Sequence, residues 1–545
     1  MIDSSTQTDD IIINGISIFD ILKNSNLYDI VNNNHNQSNN IDSNESYNKE
    51  NNDSEEDNDS GNDSSNEEDN YSDNEEDNDS EEDNDCKDNE ILSDKEIEYL
   101  YESIFISIDE HVVNNPLAFS DPAFHNNLEN SIYEIIDASF SDSITNNDDV
   151  FNFSEKMESQ IEEVIILCLH DYFDSIVPPR SYPTSFILKT PNIEETRRKI
   201  EYLKSIPQDE QRTTAWYIFR NNLITASAAW KVFKTESCVN QLIYEKCKSN
   251  SNFISTNSNE INNHDKDREL IVDKTYVNTN SPLHWGQKYE KLSVIIYESR
   301  NNTKIGEFGC IRHPTYNFLG ASPDGINVDP TSPLYGRMLE IKNIVNREIT
   351  GIPIEEYWIQ TQLQMQVCNC DECDFLETSF KEYEDEEAFL HDSCSENDTE
   401  FHLTSAKTLK GVIAYFMKDG KPFYEYAPLY LTRTEYDKWC EEIIDKNAGI
   451  TWLKNIYWYL NHYSCVLIRK NDIWFQEAIK KIENVWNIII KERETGYEHR
   501  APKKRNPKKK TTSLDDDQNN NLGTGLGSGS GSGCLIVISD LELNL

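Results

Sequence analysis

Two short segments constrain the fold most: Gly320-Ala321-Ser322-Pro323-Asp324-Gly325 and Leu339-Glu340-Ile341-Lys342. Side chains alternate between the faces of a strand. Glu340 and Lys342 therefore point one way, and Leu339 and Ile341 point the other way, into a core. Asp324 falls at a Pro-Asp-Gly turn, where the glycine permits a sharp reversal. A hairpin joining the two segments sets Asp324 beside Glu340, so that two carboxylates and an ammonium share one end of a sheet. Close carboxylates repel, and a hard divalent cation relieves that repulsion. Mg²⁺ takes one or two carboxylates and keeps waters or phosphate oxygens. At a phosphodiester it activates water and stabilises developing charge. Lys342 is placed to orient the attacking water or to stabilise the transition state. Read alone, the same spacing also suits an exposed strand carrying ordinary surface charges.

The rest of the chain sorts into regions. Of its 545 residues, 99 are acidic and 50 basic, a net charge of −49, and residues 1–100 alone carry a net −27. A wholly basic nucleic-acid coat protein is excluded, although a local basic groove is not. Residues 1–93 repeat Glu-Glu-Asp-Asn at Glu55, Glu67, Glu75 and Glu81 among Ser and Asn. Such a segment buries too little apolar surface to offset chain entropy and is expected to be disordered. Residues 94–180 have apolar residues at helical spacing and are expected to form a helical accessory region ending at Val177-Pro178-Pro179. From 191 to 432 the pattern mixes helices with strand-like runs, interrupted by polar insertions at 248–280 and 382–400 that are expected to be surface loops. Residues 433–500 are tryptophan-rich and are expected to be a helical extension. Residues 501–545 hold Lys503-Lys504-Arg505, Lys508-Lys509-Lys510 and a Gly/Ser linker, a flexible basic tail. The expected class is α/β, a mixed central sheet flanked by helices. No apolar stretch reaches the ~20 residues of a membrane span, and the first residues lack the pattern of a signal peptide. An intracellular setting, cytoplasm or nucleus, is the expectation. The cysteines suit a reducing compartment.

Further motifs flank the hairpin in a fixed order. Trp216-x3-Arg220-x4-Thr225-Ala226-Ser227 comes first, then Trp285-Gly286-x3-Glu290. Ser322-Pro323-Asp324-Gly325 and Glu340-Ile341-Lys342 follow, and Tyr357-x2-Gln360-x3-Gln364-Met365-Gln366 comes last. Together they resemble the phage-lambda exonuclease/YqaJ viral-recombinase family of PD-(D/E)xK nucleases, over roughly Thr213 to Met417. The resemblance implies a PD-(D/E)xK core and a Mg²⁺-dependent DNA nuclease (Mn²⁺ substituting), with 5′→3′ exonuclease action on linear duplex ends. It matches Asp324, Glu340 and the Ile341 carbonyl to metal ligands, Glu290 to the helix carboxylate supporting them, and Lys342 to the catalytic lysine. Tyr357 and Gln360 match active-site residues on the glutamine helix, and Gln364 reads as structural. Arg220, Ser227, Trp216 and Ser322 match the residues that meet the DNA end and its 5′-phosphate. Arg offers a bidentate fork to phosphate, and Ser227 is expected near a helix start, which favours anions. Trp216, four residues before Arg220, lies on the same helix face.

The resemblance also implies a frequent home in large DNA viruses and a role in recombination, repair or genome processing. A single-strand annealing protein is an expected partner, and a membrane is not. The family's compact member forms a toroidal trimer, and the insertions and flanks here leave the oligomer open. Cys368-x-Cys370-x2-Cys373 reads as buried or surface thiols rather than as an iron–sulfur or zinc site. Two alternatives stand: a structure-specific endonuclease on the same fold, and an inactive DNA-end-binding module. The intact Asp324, Glu340 and Lys342 weigh against the second.

Overall fold

The computed structural model describes residues 92–143, 155–211, 213–257, 277–279, 281–393 and 398–502, and a two-stranded ribbon of β1 (Ile12–Ile13) and β2 (Ile16–Ser17). The chain divides into two compact units, residues 1–118 with 123–179, and residues 119–122 with 180–545. The expected flexible tail at 503–545 and most of the acidic region lie outside the described residues, as does residue 258 to 276 of the first insertion.

In the first unit, helices α1 (Asp94–Asn114), α2 (Phe124–Ser143) and α3 (Glu155–Ser175) bury Phe105, Ile108, Leu128, Ile132, Ile165 and Cys168. Ser93 starts α1, and its backbone N–H donates to the Glu96 carboxylate at 2.8 Å, which satisfies one of the groups a helix end leaves open. The tyrosines that enter this core keep acceptors for their hydroxyls: Tyr101 donates to Asp171 and Tyr172 to Asp109, both at 2.9 Å. The described residues between Asp94 and Ser175 are thus largely helical.

The second unit is built on a seven-stranded mixed sheet in the order β11-β10-β12-β9-β8-β7-β4. Its strands are β4 (Ile305–Gly306), β7 (Gly325–Asn327), β8 (Met338–Asn343), β9 (Glu372–Glu382), β10 (Lys410–Lys418), β11 (Lys421–Tyr426) and β12 (Thr451–Arg469). Only β8 and β9 run parallel; every other pair in this sheet is antiparallel. A parallel pair needs a crossover, and the helix Glu355–Cys368 supplies it. A three-stranded sheet, β3 (Ile224–Thr225), β6 (Leu319–Ala321) and β5 (Ile311–Arg312), stands beside it. Helices α4 (Ile193–Ser205), α5 (Thr214–Asn221), α6 (Ala226–Ala229), α7 (Glu236–Asn257), α8 (Pro282–Asn301), α9 (Glu355–Cys368), α10 (Glu386–His391), α11 (Arg433–Lys446) and α12 (Asp472–Thr495) complete the unit. The α/β class with a mixed, helix-flanked sheet is as expected.

Three local expectations are corrected. Residues 433–500 are not simply helical, because β12 runs for 19 residues and pairs with β10 on one side and β9 on the other. Ile456, Trp458 and Leu460 are buried at alternate positions, the period of a strand. The first insertion is not loop from its start, since α7 continues to Asn257. The second contains the short helix α10, with Phe389 buried.

Close packing decides one glycine. A Cβ on Gly320 in β6 would lie 2.8 Å from Leu223 Cδ2 and 3.0 Å from the Ile311 carbonyl oxygen. The backbone oxygen cannot step aside. Gly320→Ala is expected to lower stability by about 1–3 kcal/mol in a urea titration. A loss indistinguishable from zero would mean that this layer is loosely packed.

Candidate active site

The hairpin places the first carboxylate. β7 pairs with β8 through Gly325↔Leu339 and Ile326↔Met338, so Asp324 emerges beside the middle of β8. Its Oδ2 accepts a hydrogen bond of 2.7 Å from the Ile341 backbone N–H. Strand alternation does the rest. Leu339 and Ile341 pack into a core with Tyr297, Leu334 and Leu376, while Glu340 and Lys342 face the opposite side.

Glu340 is almost fully buried, at 1% exposure, and is held from three directions. The Lys342 ammonium and the Gln360 amide donate to Oε1, the latter at 2.5 Å. The Gln364 amide donates to Oε2 at 2.8 Å and reaches the Ser322 carbonyl oxygen at 3.2 Å. Both glutamines sit on α9, one turn apart, hence on one face. That helix is buried on most of its circumference, including Trp358, Ile359, Thr361, Leu363 and Met365, which locks its roll angle. Gln364, read from the sequence as structural, thus touches the central carboxylate. Its own Oε1 is buried and has no hydrogen-bond partner among the described residues.

The charges are not balanced. Burial pushes the Asp324 carboxyl well above its ordinary range, and the neighbouring Glu340 and Glu290 charges push the same way. Lys342 and the Ile341 N–H oppose this without overcoming it. Burial disfavours the ammonium of Lys342, but the Glu340 and Asp324 carboxylates outweigh it and hold the group above its usual pKa. Two carboxylates of the cluster thus face a single ammonium, which is too little to offset the burial of Asp324. That is a donor set suited to a hard divalent cation, with Asp324 and Glu340 as candidate ligands. Glu290, on α8, is exposed and acts on Asp324 through its charge. Among the described residues no three Asp, Glu, His or Cys side chains converge into a ready metal cage. Cys368, Cys370 and Cys373 are all buried, and burial pushes each thiol up.

Tyr357 closes one edge. The Lys342 ammonium lies 4.9 Å from its ring centroid, and the Arg347 guanidinium lies 5.6 Å from the same ring. Arg347 is paired with Glu377, which stands opposite Lys342 in the parallel β8–β9 register and is 2% exposed. Arg347 and Glu377 were missed in the sequence. No local pattern marks them, because the register that aligns Glu377 with Lys342 forms only after the crossover helix is made.

The remaining expected residues lie on segments that lead into or out of the strands of the three-stranded sheet. β3 and β6 are parallel, with Thr225 opposite Gly320, so Ser227 and Ser322 each stand two residues past this pair along the chain. Ser227 is exposed, with its Oγ 3.2 Å from Thr225 Oγ1. The helix it was expected to start, α6, has only four residues, too short for an appreciable dipole, so the argument for anion binding from a helix N-terminus does not stand. Trp216 and Arg220 share one face of α5, and the guanidinium stacks 4.4 Å from the indole centroid.

Comparison with known proteins adds to this geometry. Residues 215–371 match the model of the YqaJ-like viral recombinase domain. An uncharacterized protein of Acanthamoeba polyphaga mimivirus is 29% identical over 375 residues, which cover 62% of this chain and 63% of the relative. The chain thus spans somewhat less than two thirds of the length of that relative. Structures of an alkaline exonuclease from Laribacter hongkongensis, one of them in complex with dAMP, align at a TM-score of 0.30 and 17% identity over 52% of this chain and 95% of theirs. Among the described residues no helix is long and apolar enough to cross a membrane.

Proposed function

We propose that the YqaJ-like viral recombinase domain carried by this chain is a Mg²⁺-dependent DNA nuclease that degrades linear duplex DNA from its 5′-phosphorylated ends. The observation that carries the reading is the Glu340 carboxylate, buried beside Asp324 and clamped by Lys342, Gln360 and Gln364. Nothing in a purely structural strand requires two carboxylates to be forced together at the cost of desolvation. Asp324, Glu340 and the Ile341 carbonyl would hold Mg²⁺, with Mn²⁺ as substitute, and Glu290 would support them by its charge. When bound, the metal neutralises phosphate charge and lowers the pKa of water.

The protein groups do the positioning. Gln360 and Gln364 fix the direction of both Glu340 oxygens, so the site needs little reorganisation during reaction. Lys342 stays an ammonium at neutral pH and serves as a donor to the attacking water or to a phosphate oxygen. Tyr357 walls its far side. Arg220 and Ser227 receive the terminal 5′-phosphate, with Trp216 stacked behind the guanidinium. The match of residues 215–371 to the YqaJ-like viral recombinase domain supports a role in viral recombination, repair or genome processing, and the proposed recipient of the remaining strand is a single-strand annealing protein.

The test is degradation in Mg²⁺ of linear duplex with 5′-phosphate ends, linear duplex with 5′-hydroxyl ends, and closed circular duplex. We expect the phosphorylated linear DNA to be consumed at least ~10-fold faster than the hydroxyl form, the worth of a charged hydrogen bond. The circle should stay intact. Equal cutting of the circle would make the protein an endonuclease. No cutting in Mg²⁺ or Mn²⁺ would leave an end-binding module.

A further inference from the structure

The helix that carries Arg220 is finished by cations from two other helices. Lys246 of α7 donates to the Arg220 carbonyl oxygen at 2.9 Å. Arg493 of α12 donates through Nη2 to the Asn221 carbonyl oxygen at 2.7 Å and to the Lys246 carbonyl oxygen at 3.0 Å. The bonds to the Arg220 and Asn221 carbonyls are locally sound, because cations suit the negative end of a helix. Their sum is not balanced. Among the described residues no carboxylate is bonded to Arg220, Lys246 or Arg493. The acid next to Lys246, Glu245, is engaged by Lys231 and Gln241 at 2.8 Å each. Burial, together with the Arg220 and Arg493 charges, lowers the Lys246 ammonium to about 7 against the opposing pull of Glu245 and Cys310. The Arg493 guanidinium is pressed 5.2 Å from the Trp486 ring centroid, with its Nε unpartnered among the described residues.

Partly buried cations that crowd one another need a counter-anion. A guanidinium fork beside an ammonium point charge fits a phosphate group that carries two charges. We infer that Lys246 joins Arg220 in binding the terminal phosphate monoester of the DNA end, and that Arg493 is the positioning residue that holds both. The inference rests on the reading of Arg220 as a contact to the DNA end. It makes α12, which lies outside the matched segment 215–371, a part of that site.

The experiment is equilibrium binding of the full chain, in EDTA, to blunt duplex carrying either 5′-phosphate or 5′-hydroxyl, so that no cleavage is needed. The variants are Lys246→Gln, Arg493→Gln and Arg493→Lys. Lys246→Gln should raise the Kd for phosphorylated duplex by roughly 10–100-fold, the equivalent of one charge-assisted hydrogen bond. The Kd for the hydroxyl form should move much less. Arg493→Gln should lose the same preference, and Arg493→Lys should recover part of it. A merely structural role would weaken both duplexes alike and lower the melting temperature, which is measured in parallel. A wild-type protein that binds both ends equally overturns the end-contact reading of Arg220, and this inference with it. A wild type that prefers phosphate, with Lys246→Gln retaining that preference, overturns this inference alone.

Discussion

Glu340→Gln is expected to slow metal-dependent hydrolysis of linear duplex DNA by about 1,000-fold, equivalent to some 4 kcal/mol of transition-state stabilisation. The substitution keeps the shape of the side chain and removes its charge. Glu340 accepts from Lys342, Gln360 and Gln364, so an amide in its place faces three donors with one acceptor oxygen. It also removes one of the charges that raise Asp324. The same change should abolish the gain in melting temperature that Mg²⁺ gives the wild type, since a ligand stabilises only the state that binds it. The measurement is release of labelled nucleotide in Mg²⁺, with thermal melts in Mg²⁺ and in EDTA. Activity within 10-fold of wild type would remove Glu340 from the reaction. A melt in which Glu340→Gln still gains from Mg²⁺ would place the metal elsewhere.

The second large effect is on stability, behind the site rather than in it. Asp374 is fully buried on β9, directly opposite Leu339 and one residue from the partner of Glu340. It accepts from Tyr297 at 2.5 Å, from Ser185 at 2.7 Å and from Arg337 at 3.2 Å. Arg337 is itself buried, and its other anchor is Glu372. Burial works against the Arg337 charge, and Asp374 and Glu372 more than restore it. Asp374→Ala takes one of the two carboxylates from a buried guanidinium and leaves the Tyr297 phenol and the Ser185 hydroxyl without their acceptor. We expect a loss of about 3–5 kcal/mol in urea unfolding. Replacing Arg337 and Asp374 together, Arg337→Met with Asp374→Leu, should recover part of it, because the only charge then left unpaired in the cluster is Glu372, which is partly open to water. A single-variant loss below about 1 kcal/mol would show that water reaches this cluster.

Much of the site was legible because its signals are local. Alternation along Leu339 to Lys342 decides which side chains face the core, and a Pro-Asp-Gly turn decides where Asp324 stands. Neither depends on distant chain. Gln360 and Gln364 share a helix face by spacing alone. The 451–469 strand was also written in the chain, in the alternation of Ile456, Trp458 and Leu460 and in its aromatic content. The helical expectation for 433–500 fits only the segments on its two sides, Arg433–Lys446 and Asp472–Thr495.

What the sequence by itself determined is the chemistry of Asp324, Glu340 and Lys342 and the local geometry that gathers them. Only the tertiary structure decided what surrounds them. Glu377 meets Lys342 through a register set across a crossover helix, and Arg493 reaches Asn221 from 272 residues away. Periodicity and turn chemistry act over a few residues and can be read from them. Register and helix docking are settled by packing the whole core, so the residues that balance or fail to balance the charge at each site appear only when the chain has folded.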